Sequence, residues 1–489
     1  MSKAIPTNGT VYWLDEAMAG IDEQACPPLA GHINADVCIV GGGYLGLWTA
    51  IEILERSPDT SVVLLEAEGC GFGASGRNGG WMTGWHDGLD AIIAEYGLDD
   101  ALWLAERSAW AIDRVADFSK EYGIDCRLRR YGATKVAVTP VQVGKWKSAM
   151  QACRDHGRGD FYNEVGAEDV RRRTGSPLPL QGAVQTDGAT IQPAMLARGL
   201  RRAALQLGAQ IFEGTPMIGL DRGTPPQVQT MGGAVTANQV VLATGAWIAG
   251  LPELRRAVVP VGSSIVATEP LGDRLLGREF ARGDAFGDQR LSVHYMQVTT
   301  DGRLIFGRGG GKIGRAGRIH PSLLHDAPAW SSIVEDLHRW FPDLADARIT
   351  HAWTGPVDRA QSPLPFVGSF GDNGNIHYAG GFSGNGVGPA AYLGRVLGKV
   401  ALGVDDEDAR SPLTGGPRAY LPPEPFRYFG GTLVRASVEY VEEMQDNGHL
   451  LNGRINKTLR KLIGITTPRH LEPRLRKATS DKAKGTARV

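Results

Sequence analysis

Cysteine is scarce: the 489 residues hold five, at 26, 38, 70, 126 and 153. None stands in CxxC spacing and their number is odd, which argues against a disulfide framework; no metal site is expected either. An excess of either charge is also missing. Lys and Arg number 52 against 53 Asp and Glu, a net charge of −1, so bulk electrostatics call for neither nucleic acid nor an anionic membrane. No apolar run approaches the ~18–20 residues that span a bilayer. The start Met1-Ser-Lys-Ala-Ile-Pro6 lacks the apolar core of a signal peptide. A reducing cytoplasm is the expected compartment.

Glycine and apolar residues are plentiful. With 66 glycines and 42% hydrophobic residues, the chain can bury a large core, normally split between two domains. Its organising stretch begins at the apolar run Val37–Val40, which reads as a strand buried on both faces. Gly41-x-Gly43-Tyr44-Leu45-Gly46 follows, and Leu47–Leu54 reads as a helix. In this arrangement the first glycine makes a tight turn and the second admits a pyrophosphate. The third lets helix and strand pack closely, while the helix N-terminus offers free N–H groups. A second apolar strand, Ser61–Leu65, ends in Glu66-Ala67, and an acidic residue there accepts hydrogen bonds from an adenosine ribose. These elements together define a dinucleotide site.

The glycines leave open whether the dinucleotide is NAD or FAD, and the next segment decides. Gly73, Ala74, Ser75, Gly76, Arg77, Asn78, Gly79 and Gly80 set small residues and one cation directly after the ribose-binding strand. Such a loop can lie along the pyrophosphate and reach an isoalloxazine ring, with Arg77 supplying charge-assisted hydrogen bonds. Here the chain resembles the D-amino-acid oxidase family of FAD-dependent amine oxidoreductases, in its branch of glycine/sarcosine, gamma-glutamylputrescine and aminophosphonate oxidoreductases. The resemblance rests on VCIVGGGYLGLWTAIEI, LLEAEGCGFGASGRNGG, VVLATGAW and GGFSGNGVGPA, and covers about residues 33–402.

That resemblance implies an α/β fold with a Rossmann-type FAD domain and a discontinuous mixed-sheet substrate domain. The expected pieces are an N-terminal arm (1–33) packed on the surface of the nucleotide domain, and FAD-binding segments at 34–84, 180–258 and 345–415. Substrate-binding segments are expected at 85–179 and 259–344, with a strand pair around Gly132. By resemblance, backbone around Met217 meets adenine, and Thr244, Gly245 and Trp247 make the second cofactor-contacting turn. The loop Gly381, Phe382, Ser383, Gly384, Asn385, Gly386 and Val387 addresses the N1/C2 carbonyl edge of the flavin, where a helix dipole stabilises the reduced ring. A helical extension (416–466) and a basic tail (467–489) follow. Leu451, Ile455, Leu459, Leu462 and Ile463 form one apolar face beside Arg454, Lys457, Arg460 and Lys461. Such a helix either docks on its own protein, the favoured reading, or lies on a membrane. Residues 469–489 carry seven Lys/Arg against two acidic residues and are expected to be disordered.

The chemistry implied is hydride transfer from a substrate carbon to flavin N5, with the protein positioning the substrate and tuning the ring. No catalytic triad is required and none is visible. Aromatic residues expected near the ring are Trp81, Tyr131, Tyr295, Trp353 and Phe382. His294 and Tyr295 open a strand and could approach the substrate, although a structural histidine is an equal reading. Arg308 could hold an anionic substrate group or stand on the surface, and His351 could join the same wall. The candidate catalytic set is therefore His294, Tyr295, Arg308 and Trp353. Sarcosine oxidases carry an oxygen-activating lysine in the strand resembling Arg303–Gly307, which here reads Arg-Leu-Ile-Phe-Gly. The electron acceptor, O2 giving H2O2 or another, thus stays open. Arg77 stands where relatives attach flavin through histidine, so noncovalent FAD is expected. The expected substrate is a small primary or secondary amine bearing an anionic group.

Overall fold

The computed structural model describes residues 5–6, 8–19, 26–275 and 278–448. Two eight-stranded sheets organise them. In the first, Gly31–Val40 lies between Val62–Leu65 and Gly233–Leu242, parallel to both. Gln210–Phe212 extends one side and Ile376–Gly380 with Phe366–Phe370 the other. Val37, Cys38, Ile39 and Val40 are all buried, as an unalternating apolar run requires of a central parallel strand. Helices Tyr44–Arg56, Pro193–Gln206 and Pro389–Ala401 join one core on its flank, in which Ile51, Leu200 and Leu393 are fully buried. The helix Leu98–Glu121 adds Leu104, Ile112, Val115 and Phe118 to that same core.

The second sheet runs Ile349–Ala360, Val258–Thr268, Leu304–Arg308, His294–Val298, Ala285–Asp288, Ala133–Ala137, Gln181–Gln185, Tyr162–Val165. One face carries Met296, Val298, Leu304 and Phe306 against Trp330, Ile333, Leu337 and Trp340 of the helix Ala327–Trp340. The expected strand pair around Gly132 is not a hairpin. Only Ala133–Ala137 is a strand, and its partners are Gln181–Gln185 and Ala285–Asp288. Arg129 makes a single bridge to Thr190, and Gly132 turns the chain with φ +86°.

The N-terminal arm does not ride on the surface. Its helix Tyr12–Met18 buries Tyr12, Trp13 and Ala17 against Ala194, Ile265, Ala267, Ile305 and Trp353, between the nucleotide unit and the second sheet. At the other end, helix Phe426–Asp446 is pinned at both termini. Arg427 donates to the Arg255 carbonyl, and the Glu442 carboxylate accepts from Leu291 N (2.9 Å) and Ser292 N (3.2 Å). Asp446 pairs with Arg290 and Arg339. Its other side exposes Phe426, Phe429, Leu433 and Tyr440. The sequence-predicted helix Leu450–Ile465 and the basic tail lie outside the described residues. Among the described residues no helix is long and apolar enough to cross a membrane, and no His/Cys/Asp/Glu group could hold a metal.

Candidate active site

The first glycine turn is shaped by what cannot fit. Gly41 has φ +112°, and a Cβ there would lie 2.4 Å from the Ala243 carbonyl oxygen; on Gly46 it would lie 1.9 Å from the Gly41 oxygen. Both close approaches bring strand, turn and helix together around an open end. Gly43 caps the helix Tyr44–Arg56, whose first-turn N–H groups, Leu45 and Gly46 among them, have no carbonyl four residues back within the helix. The Tyr44 N–H donates to Ser75 Oγ (2.8 Å). Glu66 accepts from Gly42 N (2.7 Å) and Glu68 N (3.0 Å); burial pushes its carboxyl up against the pull of these donors. Ala67 follows it, and Thr215 N donates to the Glu66 carbonyl (2.7 Å), which brings the chain entering Met217 to the same end of the sheet. Thr244 precedes the short helix Gly245–Gly250, and the Trp247 ring lies 3.9 Å from a Cβ built on Gly73.

The loop Gly73–Gly80 is held tightly. Asn78 Nδ2 donates to the carbonyls of Ala74 (3.1 Å) and Ser75 (3.0 Å), and its Oδ1 accepts from Gly80 N (2.8 Å). Three successive carbonyls are then taken by side chains from remote parts of the chain. Arg77 O accepts from Trp353 Nε1 (2.9 Å), Asn78 O from Trp13 Nε1 (2.9 Å), and Gly79 O from Gln297 Nε2 (2.7 Å). Arg77 itself donates to Phe72 O (2.7 Å) and Thr354 O (3.4 Å), with its guanidinium carbon 4.4 Å from the centre of the Phe72 ring. The structure thus uses it to brace the loop. Trp353 is fully buried and holds backbone. Neither Trp13 nor Gln297 was identified from the sequence, because nothing local marks a side chain that bonds a loop far along the chain.

The roof over this loop is the second sheet, where successive side chains point to opposite faces. Tyr295 and Gln297 face the loop. The Tyr295 ring passes so near Gly79 that a Cβ there would lie 2.6 Å from it. Its hydroxyl bonds Ser263 Oγ (2.7 Å), and Trp81 meets it edge-on at 6.4 Å between ring centres. Burial pushes the Tyr295 hydroxyl up to about 12. His294 and Arg308, paired across their strands, turn to the opposite face. His294 is buried between Asp288 (Nδ1, 2.8 Å) and Asp336 (Nε2, 2.9 Å). Burial would lower its pKa, but the two carboxylates outweigh this and raise it. Arg308 reaches Ser332 Oγ (3.2 Å) and Asp336 (3.3 Å). These two candidates therefore belong to a charged cluster behind the sheet, since their position in the register sets their face. His351 sits beside the Tyr12 ring and 3.5 Å from Asp15 of the arm. Tyr131 is half exposed under Arg282.

The second glycine loop follows the strand Ile376–Gly380. Asp358, buried, accepts from Gly381 N (2.6 Å) and Phe382 N (3.2 Å), and Ser383 Oγ accepts from Ala360 N (3.1 Å). Burial raises the Asp358 carboxyl to about 6 even against these donors. Asn385 N donates to Phe382 O, Gly386 lies against the Phe382 ring and Val387 is buried, just before helix Pro389–Ala401.

A glycine turn on a parallel sheet, an acid at the next strand end and a roofing second sheet define a dinucleotide-dependent oxidoreductase of the two-sheet kind. A family model for FAD dependent oxidoreductases (DAO) matches residues 36–400, and the chain belongs to that family. It is an FAD-dependent enzyme. Among its relatives, gamma-glutamylputrescine oxidoreductase of Escherichia coli is 30% identical over 374 residues, covering 76% of this chain and 84% of the relative. A probable oxidoreductase, OrdL, of Haemophilus influenzae is 29% identical over 395 residues, covering 78% and 86%. Glycine oxidase from Geobacillus kaustophilus shares the fold, with TM-score 0.63 at 21% identity over 78% of this chain and 99% of that one.

Proposed function

We propose that this chain oxidises a small primary or secondary amine to an imine, which water hydrolyses to an aldehyde or keto acid. The observation that carries the reading is the Tyr295 ring, fixed through Ser263 and set directly over Gly79 of the loop. FAD, when bound, supplies the electron sink and takes the hydride. Gly41, Gly43 and the N–H groups after it receive the pyrophosphate, and Glu66 the ribose hydroxyls. Tyr295 and Trp81 offer the reacting carbon apolar walls that favour the unprotonated amine and exclude water. Asp358 holds the N–H groups of Gly381 and Phe382 in place at the end of helix Pro389–Ala401. No histidine or cysteine lies in the loop Gly73–Gly80, which supports noncovalent FAD. Relatives named for gamma-glutamylputrescine and glycine oxidation support an amine that also carries an anionic group.

The test is an anaerobic titration of the yellow protein with a panel of amines, read at the flavin band near ~450 nm. Bleaching by one amine class with recovery in air is expected, and a protein that no amine bleaches refutes the reading. A second reading, a membrane-associated dehydrogenase serving another acceptor, is favoured by the exposed row Phe426, Phe429, Leu433 and Tyr440. It requires that bleached protein stay bleached in air, and that replacing Phe426, Phe429 and Leu433 with serine release the chain from membranes.

A further inference from the structure

The N-terminal helix Tyr12–Met18 precedes residues 36–400, the part of the chain that the family model matches, yet it reaches the loop Gly73–Gly80. Trp13 is buried, and its Nε1 donates to Asn78 O (2.9 Å). The helix is itself held from both sides. Gln192 Nε2 donates to Trp13 O (2.8 Å) and to Glu16 (3.1 Å), and the Tyr12 hydroxyl donates to Asp301 (3.0 Å) beside the roofing sheet. Leu14 Cδ2 lies 3.0 Å from a Cβ built on Gly76.

Peptide geometry says what this contact does to the loop. The bonds Arg77–Asn78 and Asn78–Gly79 are trans, so in each the N–H points opposite to the carbonyl. Trp353, which holds Arg77 O, and Trp13, which holds Asn78 O, belong to one apolar cluster with Ile265 and Ile305. Both carbonyls are drawn toward that cluster, and the N–H groups of Asn78 and Gly79 are turned away from it. Gly80 N is already taken by Asn78 Oδ1. Among the described residues nothing accepts from Asn78 N or Gly79 N, and both residues keep accessible surface. Two consecutive donors, fixed from behind and unused in front, are ready for the acceptor atoms of a ligand.

We propose that Trp13 is a positioning residue for FAD: through the Asn78 carbonyl it fixes the Asn78–Gly79 peptide so that the Gly79 N–H meets the bound cofactor. Docking of the N-terminal helix and binding of FAD are then linked, each tightening the other by the same factor. This linkage rests on the loop Gly73–Gly80 facing FAD, and the experiment separates that reading from the role of Trp13.

The full-length chain is prepared as wild type, Trp13→Phe and Tyr12→Phe. The first variant keeps an aromatic ring and loses the donor; the second loses a bond that does not touch the loop. FAD affinity is measured by quenching of flavin fluorescence, and amide hydrogen exchange is followed with and without FAD. Loss of the donor to Asn78 O is expected to weaken FAD binding about five- to a hundredfold in Trp13→Phe and to leave Tyr12→Phe within twofold of wild type. In wild type, FAD should slow exchange of the helix Tyr12–Met18 by a matching factor, and in Trp13→Phe that effect of FAD should vanish. A merely structural tryptophan would lower the stability of apoprotein and holoprotein alike and leave exchange of the helix indifferent to FAD. Should Trp13→Phe not fold, the exchange of wild type decides. Amides of residues 74–80 that FAD does not protect overturn the reading of the loop and the proposal with it. Protected loop amides beside a helix indifferent to FAD, or an affinity within twofold in Trp13→Phe, overturn the proposal alone.

Discussion

Replacing Asp336 with Asn separates a role behind the sheet from a role in the chemistry. Asp336 is held at about 2: burial would raise its pKa, but His294, Arg308 and Arg339 outweigh it. The drop from the ordinary 3.8 corresponds to about 2.5 kcal/mol of stability at neutral pH. Because the folded value lies below the unfolded one, this contribution is complete above about pH 5 and drains away as pH falls through 2. Asp336→Asn should therefore be about 2.5 kcal/mol less stable from pH 5 to 8, with the deficit shrinking toward pH 3. His294 runs the other way: its pKa is raised, so its stabilisation is present below 6.5 and lost as pH climbs through its folded value. With one carboxylate gone, that loss should begin at lower pH. Urea midpoints of the FAD-loaded protein across pH 3–8 read both effects. Since His294 and Asp336 lie behind the roofing strands, the rate of flavin reduction by an amine should stay within about threefold of wild type. A hundredfold fall in that rate with an unchanged midpoint would refute the placement.

Gly79→Ala pushes a methyl into the Tyr295 ring; overpacking of about 1–3 kcal/mol should appear as weaker FAD binding, partly restored by Tyr295→Leu. Trp353→Phe leaves the buried Arg77 carbonyl without a donor, a loss of about 1–3 kcal/mol measured as a lower urea midpoint. Asp358, raised from 3.8 to about 6, stays protonated in the folded chain after the unfolded chain has ionised. Between pH 4 and 6 wild type should then lose about 3 kcal/mol that Asp358→Asn does not lose; parallel midpoint curves for the two proteins would contradict this.

The glycine turn was legible in the sequence because its parts are consecutive. Strand, three glycines, helix and Glu66 act within thirty residues, and the close approaches at Gly41 and Gly46 follow from local geometry. The roof was legible only as strands. His294 and Tyr295 are neighbours in sequence, and Arg308 ends the paired strand, yet only Tyr295 faces the loop. Which face a residue takes depends on pairing His294 with Arg308 and Tyr295 with Gly307, a long-range fact. Trp13 read as part of a surface arm for the same reason: the strands that bury it lie some 250 residues or more further on.

The three side chains that hold the carbonyls of residues 77, 78 and 79 have a bearing on biosynthesis. A nascent chain that has left the ribosome as far as Glu121 already owns the glycine turn, Glu66 and Trp13. It lacks Gln297 and Trp353, which emerge more than 170 residues later, so two of those carbonyls still face water. The loop is thus completed late in synthesis, after the helices around it have emerged.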